Sequence, residues 1–402
     1  MEAIISKLTA LITILASFFV SSVNTVQLDR PLFAEIYPEA MVENLWIVYR
    51  DKVQKDGRTL DRDQNYITTS EGQSYALLQA VWMDDKKTFD HVLKWTNENL
   101  RKRDDQLFAW LWGQDQDKDG NWGVLEKEGG INSASDADQD IALALIFAYK
   151  RWNQNHYLKQ AKKILNDIWE KEIVILYDKP YLVAGNWAKE NDSYTINPSY
   201  FMFYAYPIFA EVDPAHNWRL LKNTSYEVLT EATQSSLDKK NSGNLPPDWI
   251  SINPKTLKIN PSEYKEKKTD FSYDAFRVLW RVALDWEWHK DEKAITYLKS
   301  IKTLKEEWQK HKSLYDSYYH DGQPVRTYEN SSIYAGTYPY FSLIHPEIAE
   351  KLYRDKLARL YDSSTENFSK PLGYYAQNWV WFGFAFHAKK LPNLYLIDND
   401  NL

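Results

Sequence analysis

From about Glu39 onward, apolar residues recur every three or four positions in segments of ten to twenty residues, separated by short polar breaks. No other feature constrains the fold as strongly, because each such segment must bury a helical stripe against another element. The period predicts twelve helices, near 39–52, 71–83, 87–101, 136–152, 156–171, 199–211, 218–235, 274–288, 291–308, 331–341, 346–360 and 376–388. Strand signals are few: Ile173–Tyr177 and Tyr181–Val183 read as a hairpin around Asp178–Pro180, and Leu107–Trp112 reads as extended. Two irregular stretches, about 102–135 and 236–273, are too long for plain connectors and read as functional loops. The expectation is an all-α domain of inner and outer helices paired into a closed ring, with loops gathered at one end. No fixed-period repeat favours an open solenoid.

No Pro-, Gly- or Ser-rich stretch or charge block divides the 402 residues, so a single domain over 26–402 is expected, acting as a monomer. The net charge of −7 excludes nucleic acid as a partner, since that binding needs clustered Lys and Arg to displace counterions. A neutral partner fits better. The 17 Trp and 28 Tyr offer flat faces for sugar rings, and serve equally well as core packing. Met1–Thr25 carries Lys7, an apolar run from Leu8 to Val20, then Ser21 and Ser22. That is the anatomy of a signal peptide or an uncleaved N-terminal anchor, and it predicts a secreted or periplasmic protein that meets a membrane only through this segment. With no cysteine, no disulfide staples the fold.

Chemistry enters with Ser70-Glu71-Gly72-Gln73-Ser74-Tyr75, which places a carboxylate in the first turn of a helix continuing through Ala76, Leu77, Ala80 and Val81, with Thr68, Thr69 and Ser70 available as caps. A glutamate there also complements the helix dipole. Gly72 points further, because a helix former would serve stability better and a glycine lets another group approach the backbone. Asn132 to Ala142 opens the most apolar helix of the chain; Ser135 reads as its N-cap, and Asp136 and Asp138 suit its dipole. Asp136, Asp138 and Asp140 alternate on a helix that is apolar nearly all round, so they must find hydrogen-bond donors, for which sugar hydroxyls are suitable.

Together these runs resemble glycoside hydrolase family 8, the bacterial endoglucanase or cellulase D family. Ala134-Ser135-Asp136-Ala137-Asp138 with Ile141-Ala142 and Trp152 resembles its signature, and Ser70 to Tyr75 resembles its general-acid motif. Asn197-Pro198-Ser199-Tyr200-Phe201, Tyr273-Asp274-Ala275-Phe276-Arg277 and Gly373-Tyr374-Tyr375 follow in order, so the resemblance spans about residues 40–390. It implies an (α/α)6 barrel, in agreement with the helix count, and hydrolysis with inversion at the anomeric carbon. Glu71 matches the proton donor, Asp274 the general base, and Asp136 the acid that holds the sugar at the cleavage point. Arg277 matches the arginine one turn beyond the base, and Tyr200 and Tyr375 lie in runs that line the same region. Ala76 stands where many members have glycine, for which a small packing change is expected.

The resemblance implies a polysaccharide as partner, with internal β-1,4 linkages of cellulose or another β-1,4-glucan as the first expectation and chitosan, xylan or mixed-linkage glucan as alternatives. Trp110, Trp122 and Trp187 are the candidate sugar platforms, with core packing as the other reading. Asp115-x-Asp117-x-Asp119-Gly120 with Glu126 satisfies a calcium-loop pattern, but Gly129 and Gly130 break any exit helix, so no metal is expected there. The eight histidines show no zinc spacing, and no cofactor is expected. Asp274 and Arg277 could also form a plain surface salt bridge. Two rivals stay open: a noncatalytic polysaccharide-binding barrel, and a lyase using Tyr, His or Arg.

Overall fold

The computed structural model describes residues 38–115, 120–190, 192–239, 241–262 and 269–397. The leader or anchor expected over 1–25 lies outside them, and among them no helix is long and apolar enough to cross a membrane. Thirteen α-helices are described: α1 Pro38–Arg50, α2 Ser70–Trp82, α3 Lys86–Asn99, α4 Ser135–Trp152, α5 Asn155–Glu172, α6 Tyr206–Val212, α7 Trp218–Gln234, α8 Phe276–His289, α9 Glu292–Ser300, α10 Thr303–His311, α11 Ser331–Ile344, α12 Pro346–Leu352 and α13 Tyr374–His387.

Burial sorts them into two rings. Every residue of α2 except Glu71 is buried, and α4 is buried without a break from Ser135 to Ala148, so both lie inside. By contrast α3 buries Phe89, Val92, Leu93, Trp95 and Thr96, and α5 buries Tyr157, Ala161, Ile164, Leu165 and Ile168, the single stripe of an outer helix. The inner ring runs α2, α4, the 198–212 segment containing α6, α8, α11 and α13. It closes where Tyr75 meets Trp379 edge to face and Gln79 donates to Asn378 Oδ1 at 2.7 Å. The outer members are α1, α3, α5, α7, the pair α9 and α10, and α12. The expected (α/α)6 barrel is therefore the observed architecture.

Its floor is aromatic. Trp280 meets Trp379 edge to face at 5.8 Å and Tyr204 at 5.9 Å, and Trp46, Trp82, Trp95, Trp218, Trp308 and Trp381 are also buried. Much of the aromatic surplus in the sequence is therefore core rather than sugar platform.

Short antiparallel sheets trim the open end. β1 (Thr68–Thr69), β2 (Leu111–Gln114) and β3 (Trp122–Val124) form one, with Thr68 opposite Trp112 and Gln114 opposite Trp122. The expected hairpin is present as β4 (Ile173–Leu176) and β5 (Lys179–Leu182). A four-stranded sheet of β6 (Lys189–Glu190), β7 (Ser193–Ile196), β8 (Ile250–Ile252) and β9 (Ile259–Pro261) was not foreseen.

Several helices depart from the expected limits; the one expected over 346–360 ends as α12 at Leu352 and continues as a π-helical turn at Tyr353–Leu357 and a 3-10 turn at Ala358–Leu360. The segment 291–308 breaks into α9 and α10 because Ile301, 2% exposed, turns extended into the core and its carbonyl accepts from Tyr340 Oη at 2.8 Å. The segment 199–211 becomes helical only at Tyr206, after a 3-10 turn at Pro198–Tyr200 that Asn197 caps. Ser135 is not the cap of α4: that position is Ala134, and Ser135 Oγ donates to the Val183 carbonyl at 2.8 Å.

Candidate active site

First turns of four inner helices meet at the open end of the barrel. Thr69 caps α2 by accepting from Gly72 N at 3.0 Å, which leaves Glu71 in the first turn, on the positive end of the dipole. Glu71 keeps 25% exposure while its neighbours are sealed. Arg277, in the first turn of α8 and 1% exposed, gathers the acids. Its Nη1 donates to Glu71 Oε2 at 3.0 Å and to Asp136 Oδ2 at 3.1 Å, and its Nη2 donates to Asp274 Oδ1. Asp274 and Arg277 are thus no surface pair.

Three carboxylates around one guanidinium leave an excess of negative charge, and such a cluster relieves it by holding a proton. Glu71 is pushed up to about 7, chiefly by burial; the Arg277 charge opposes this, and the charges of Asp136 and Asp274 reinforce it. Asp136, 4% exposed in the first turn of α4, is also raised by burial against the pull of Arg277. Asp274 stands just before α8 with 29% exposure, and its Oδ2 accepts from Trp249 Nε1 at 2.9 Å.

Gly72 has the reason its position implied. A Cβ there would lie 2.7 Å from Tyr374 Oη, the hydroxyl in the first turn of α13 that donates to Glu71 Oε1 at 3.3 Å. Tyr75, one helical turn beyond Glu71, accepts from Arg277 Nη1 at 3.2 Å. Neither Tyr374, Tyr75 nor Trp249 had been singled out as a functional residue. The i,i+4 spacing of Glu71 and Tyr75 was the available signal for one of them.

The aromatic candidates divide. Tyr200 lies under Arg277, with Cζ 5.3 Å from its ring centroid, and meets Trp249 edge to face at 5.8 Å. Trp187 joins the same wall, 6.5 Å from Trp249. Tyr375 backs the turn that carries Asp274: its hydroxyl donates to the Tyr273 carbonyl and its ring lies 6.0 Å from Phe276. Trp110 is half-buried, donates Nε1 to the Gly129 carbonyl at 3.0 Å, and accepts from Ser70 N at 3.0 Å beside Glu71. Trp122, 46% exposed, belongs to a separate group: it stacks on Trp112 at 5.2 Å, and Arg58 lies within 4.9 Å of both rings. Next to Tyr374 a cavity of about 340 Å³ opens between Lys52, Arg62, Leu372 and Gln377.

Of the three α4 acids expected to seek sugar hydroxyls, only Asp136 reaches the cluster. Asp140 is satisfied inside the protein by Arg281 Nη1 at 3.1 Å and Nη2 at 2.9 Å. Asp138 accepts from Phe108 N at 3.0 Å and shares a hydrogen bond with Glu172, whose Oε1 accepts from Ser133 Oγ at 2.7 Å. Side by side and buried, the two acids disfavour each other's charge. Burial holds Asp138 well above the usual carboxylate range and Glu172 up to about 8. In the calcium-pattern run, Asp117 and Asp119 lie outside the described residues. The run follows strand β2 and contains strand β3, and Glu126 opens a 3-10 turn, unlike the two helices that frame a calcium loop. Among the described residues no group of three or more His, Asp or Glu is placed to hold a metal ion.

A double ring of helices with three acids and an arginine at the mouth, walled by aromatic rings, is the build of a helical-barrel glycosidase. The chain belongs to glycosyl hydrolases family 8, whose profile matches residues 32–380. Among curated relatives it is 36% identical over 248 residues to an endoglucanase of Xanthomonas axonopodis pv. citri, a match covering 60% of each chain. It is 33% identical to endoglucanase C of Ruminiclostridium cellulolyticum, covering 62% of this chain and 48% of that one. The matches thus span about half to three fifths of the length of these relatives. Among solved structures it resembles an endo-1,4-D-glucanase of Vibrio fischeri, with TM-score 0.72 and 25% identity, over 85% of this chain and 94% of that one. A xylanase of Teredinibacter turnerae, solved with xylohexaose, shares the fold with TM-score 0.69 and 16% identity, over 90% of this chain and 96% of that one.

Proposed function

We propose that the protein hydrolyses internal β-1,4 linkages of a glucan by a single inverting displacement. The observation that carries this reading is Arg277 bonded at once to Glu71, Asp136 and Asp274, with Glu71 held near neutrality. Such hydrolysis needs a protonated acid beside the leaving oxygen and an ionised acid on the far face of the sugar to activate water. Glu71 is the proton donor, retaining its proton at and below neutral pH. Asp274 is the base, its negative charge stabilised by the Arg277 and Trp249 donors. Asp136 holds the sugar hydroxyls at the cleavage point, and Tyr200, Trp187 and Trp110 carry the sugar faces, with Tyr375 bracing the base. Trp122 offers a further platform at the edge of the β1–β3 sheet. Inversion requires carboxyl groups roughly 6.5–9.5 Å apart, and the guanidinium between Glu71 and Asp274 supports the wider arrangement.

Glucan is favoured over chitosan and xylan because the curated relatives are named endoglucanases. Residues 1–25 act as a signal peptide or anchor for a single secreted or periplasmic domain over 26–402 that works as a monomer without a cofactor. The experiment is a panel of carboxymethylcellulose, xylan and chitosan with product sizing. Internal cuts in the cellulose derivative are expected, and binding without release of reducing ends would replace the enzyme reading with the binding barrel. Proton NMR in the first minutes should show the α-anomer; early β-anomer would sink the inverting mechanism.

A further inference from the structure

Helix α8 begins without a cap of its own. Its N-cap residue is Ala275, which has no side chain able to bond the first turn. The first-turn N–H groups of Phe276, Arg277 and Val278 bond the Ser272, Asp274 and Ala275 carbonyls, and the turn that leads into the helix is held by Asp248, an acid 6% exposed in the long irregular stretch upstream. Asp248 Oδ1 accepts from Ala275 N at 2.7 Å and from Ser272 N and Asp274 N at 3.2 Å, while Oδ2 pairs with Ser272 Oγ. The turn that presents Asp274 is wrapped around one carboxylate. Trp249, the next residue, donates Nε1 to Asp274 Oδ2 at 2.9 Å, so two consecutive residues hold the backbone and the side chain of Asp274. Immediately afterwards the chain enters β8, which pairs with β7 on one edge and β9 on the other, so the clamp stands on a fixed strand.

We propose that Asp248 and Trp249 are positioning residues for the reaction, a clamp that fixes where the Asp274 carboxylate points and which donors it meets. The proposal rests on the reading of Asp274 as general base. A cap serving stability alone would be a serine, asparagine or aspartate at position 275, local to the helix. Here the chain brings an acid from 26 positions away and buries it beside another acid, a like-charge arrangement that disfavours the fold. Burial, with the charge of Asp274 second, pushes Asp248 up to about 7, so its neutral form is well populated in a working enzyme. That form still accepts from the three N–H groups through one oxygen. Among the described residues the other charged groups near Asp274 are Arg277, bonded to it, and Glu71 and Asp136 across that arginine; the Asp270 carbonyl accepts from Asp248 N at 2.7 Å.

The test compares four variants of the full chain by circular dichroism, melting temperature, and kcat and KM on carboxymethylcellulose across pH. Asp248→Ala is expected to lower kcat about tenfold or more with KM within about twofold, because the water is aimed wrongly while the sugar still binds. Asp248→Asn is expected to restore much of that loss, since its carbonyl oxygen still accepts from the turn. Trp249→Phe keeps a ring but removes the donor to Asp274, so the acid limb of kcat/KM should move to higher pH. Asp274→Ala runs alongside: retained turnover in it removes the base assignment and the clamp together. With Asp274→Ala inactive, normal kcat in folded Asp248→Ala, a loss confined to KM, or an unmoved acid limb in Trp249→Phe overturns the clamp while the base stands. Should Asp248→Ala fail to fold, the acid limb of Trp249→Phe decides alone.

Discussion

Helices α4 and α8 make the same contact twice, one turn apart: Asp136 with Arg277 at the mouth of the barrel, Asp140 with Arg281 beneath it. Both arginines are buried, and both acids are nearly sealed. In the lower pair one guanidinium meets one carboxylate through two bonds, and Arg281 Nη1 also reaches Tyr204 Oη at 2.9 Å. In the upper pair the same geometry is opened to Glu71 and Asp274, so a single positive charge faces three acids. Burial alone therefore does not make a reactive group here. Burial is the largest influence keeping a proton on Glu71 near neutral pH, and the surplus of acids over arginine at the mouth adds to it: Asp136 and Asp274 raise Glu71 further against the pull of Arg277.

The sharpest way to break the comparison is to take the proton away. Glu71→Gln keeps the shape of the side chain but cannot donate, so kcat should fall by about 10²–10⁴ with KM and melting temperature nearly unchanged. Asp274→Asn should lose as much; unfolding with normal specific activity would return it to a structural pair. The lower pair should answer in the opposite currency. Arg281→Met strands a buried Asp140 and should cost about 3–5 kcal/mol in denaturant unfolding, while each folded molecule keeps its normal rate. Adding Asp140→Leu should recover most of that stability, because two apolar groups replace a pair whose desolvation was already costly.

A smaller effect sharpens the role of surplus charge. Glu71 loses its proton as pH rises through about 7, so activity should decline on that limb. The Asp136 charge is one of the influences raising Glu71, so Asp136→Asn should move the alkaline limb of kcat/KM to lower pH, and an unmoved limb would leave burial and the Asp274 charge as the causes. The smallest effect concerns Glu172. Its folded value of about 8 lies above its ordinary 4.5, so the folded state binds the extra proton and stability falls as pH rises between those values. Melting temperatures of Glu172→Gln should vary less between pH 5 and pH 8 than those of the unaltered protein.

The barrel was legible because its helices obey a period that survives local accidents, and because Asp136, Glu71 and Asp274 sit at helix starts where the sequence motifs place them. The boundaries that failed did so for tertiary reasons. Ile301 is apolar enough to continue a helix, yet the core takes its side chain at the cost of the helical turn. Ser135 has the chemistry of a cap but spends its hydroxyl on Val183, a partner 48 positions away. Asp248 and Trp249 were invisible for a related reason: β8 is three residues long, too short for an alternating pattern, and an acid that holds the turn before a helix from 27 positions away leaves no local spacing to read. Trp122 and Trp187 look alike in the sequence, and only their partners separate them, strand β2 for Trp122 and the Trp249 ring for Trp187.

The closure of the inner ring has a kinetic consequence. Tyr374 on α13 reaches Glu71 on α2 across 303 positions, and Trp381 Nε1 on α13 ties down the outer helix α1 by donating to the Val42 carbonyl at 3.1 Å, across 339. Contacts of such sequence separation form late, since loop entropy must be lost before they reward it. Until α13 docks, the α2 glutamate lacks the tyrosine that bonds it and the wall that α13 provides. A chain halted before that step can hold most of its helices and still be unable to protonate a substrate. During refolding, recovery of turnover should lag behind recovery of helical signal, which makes activity a clock for the last act of assembly.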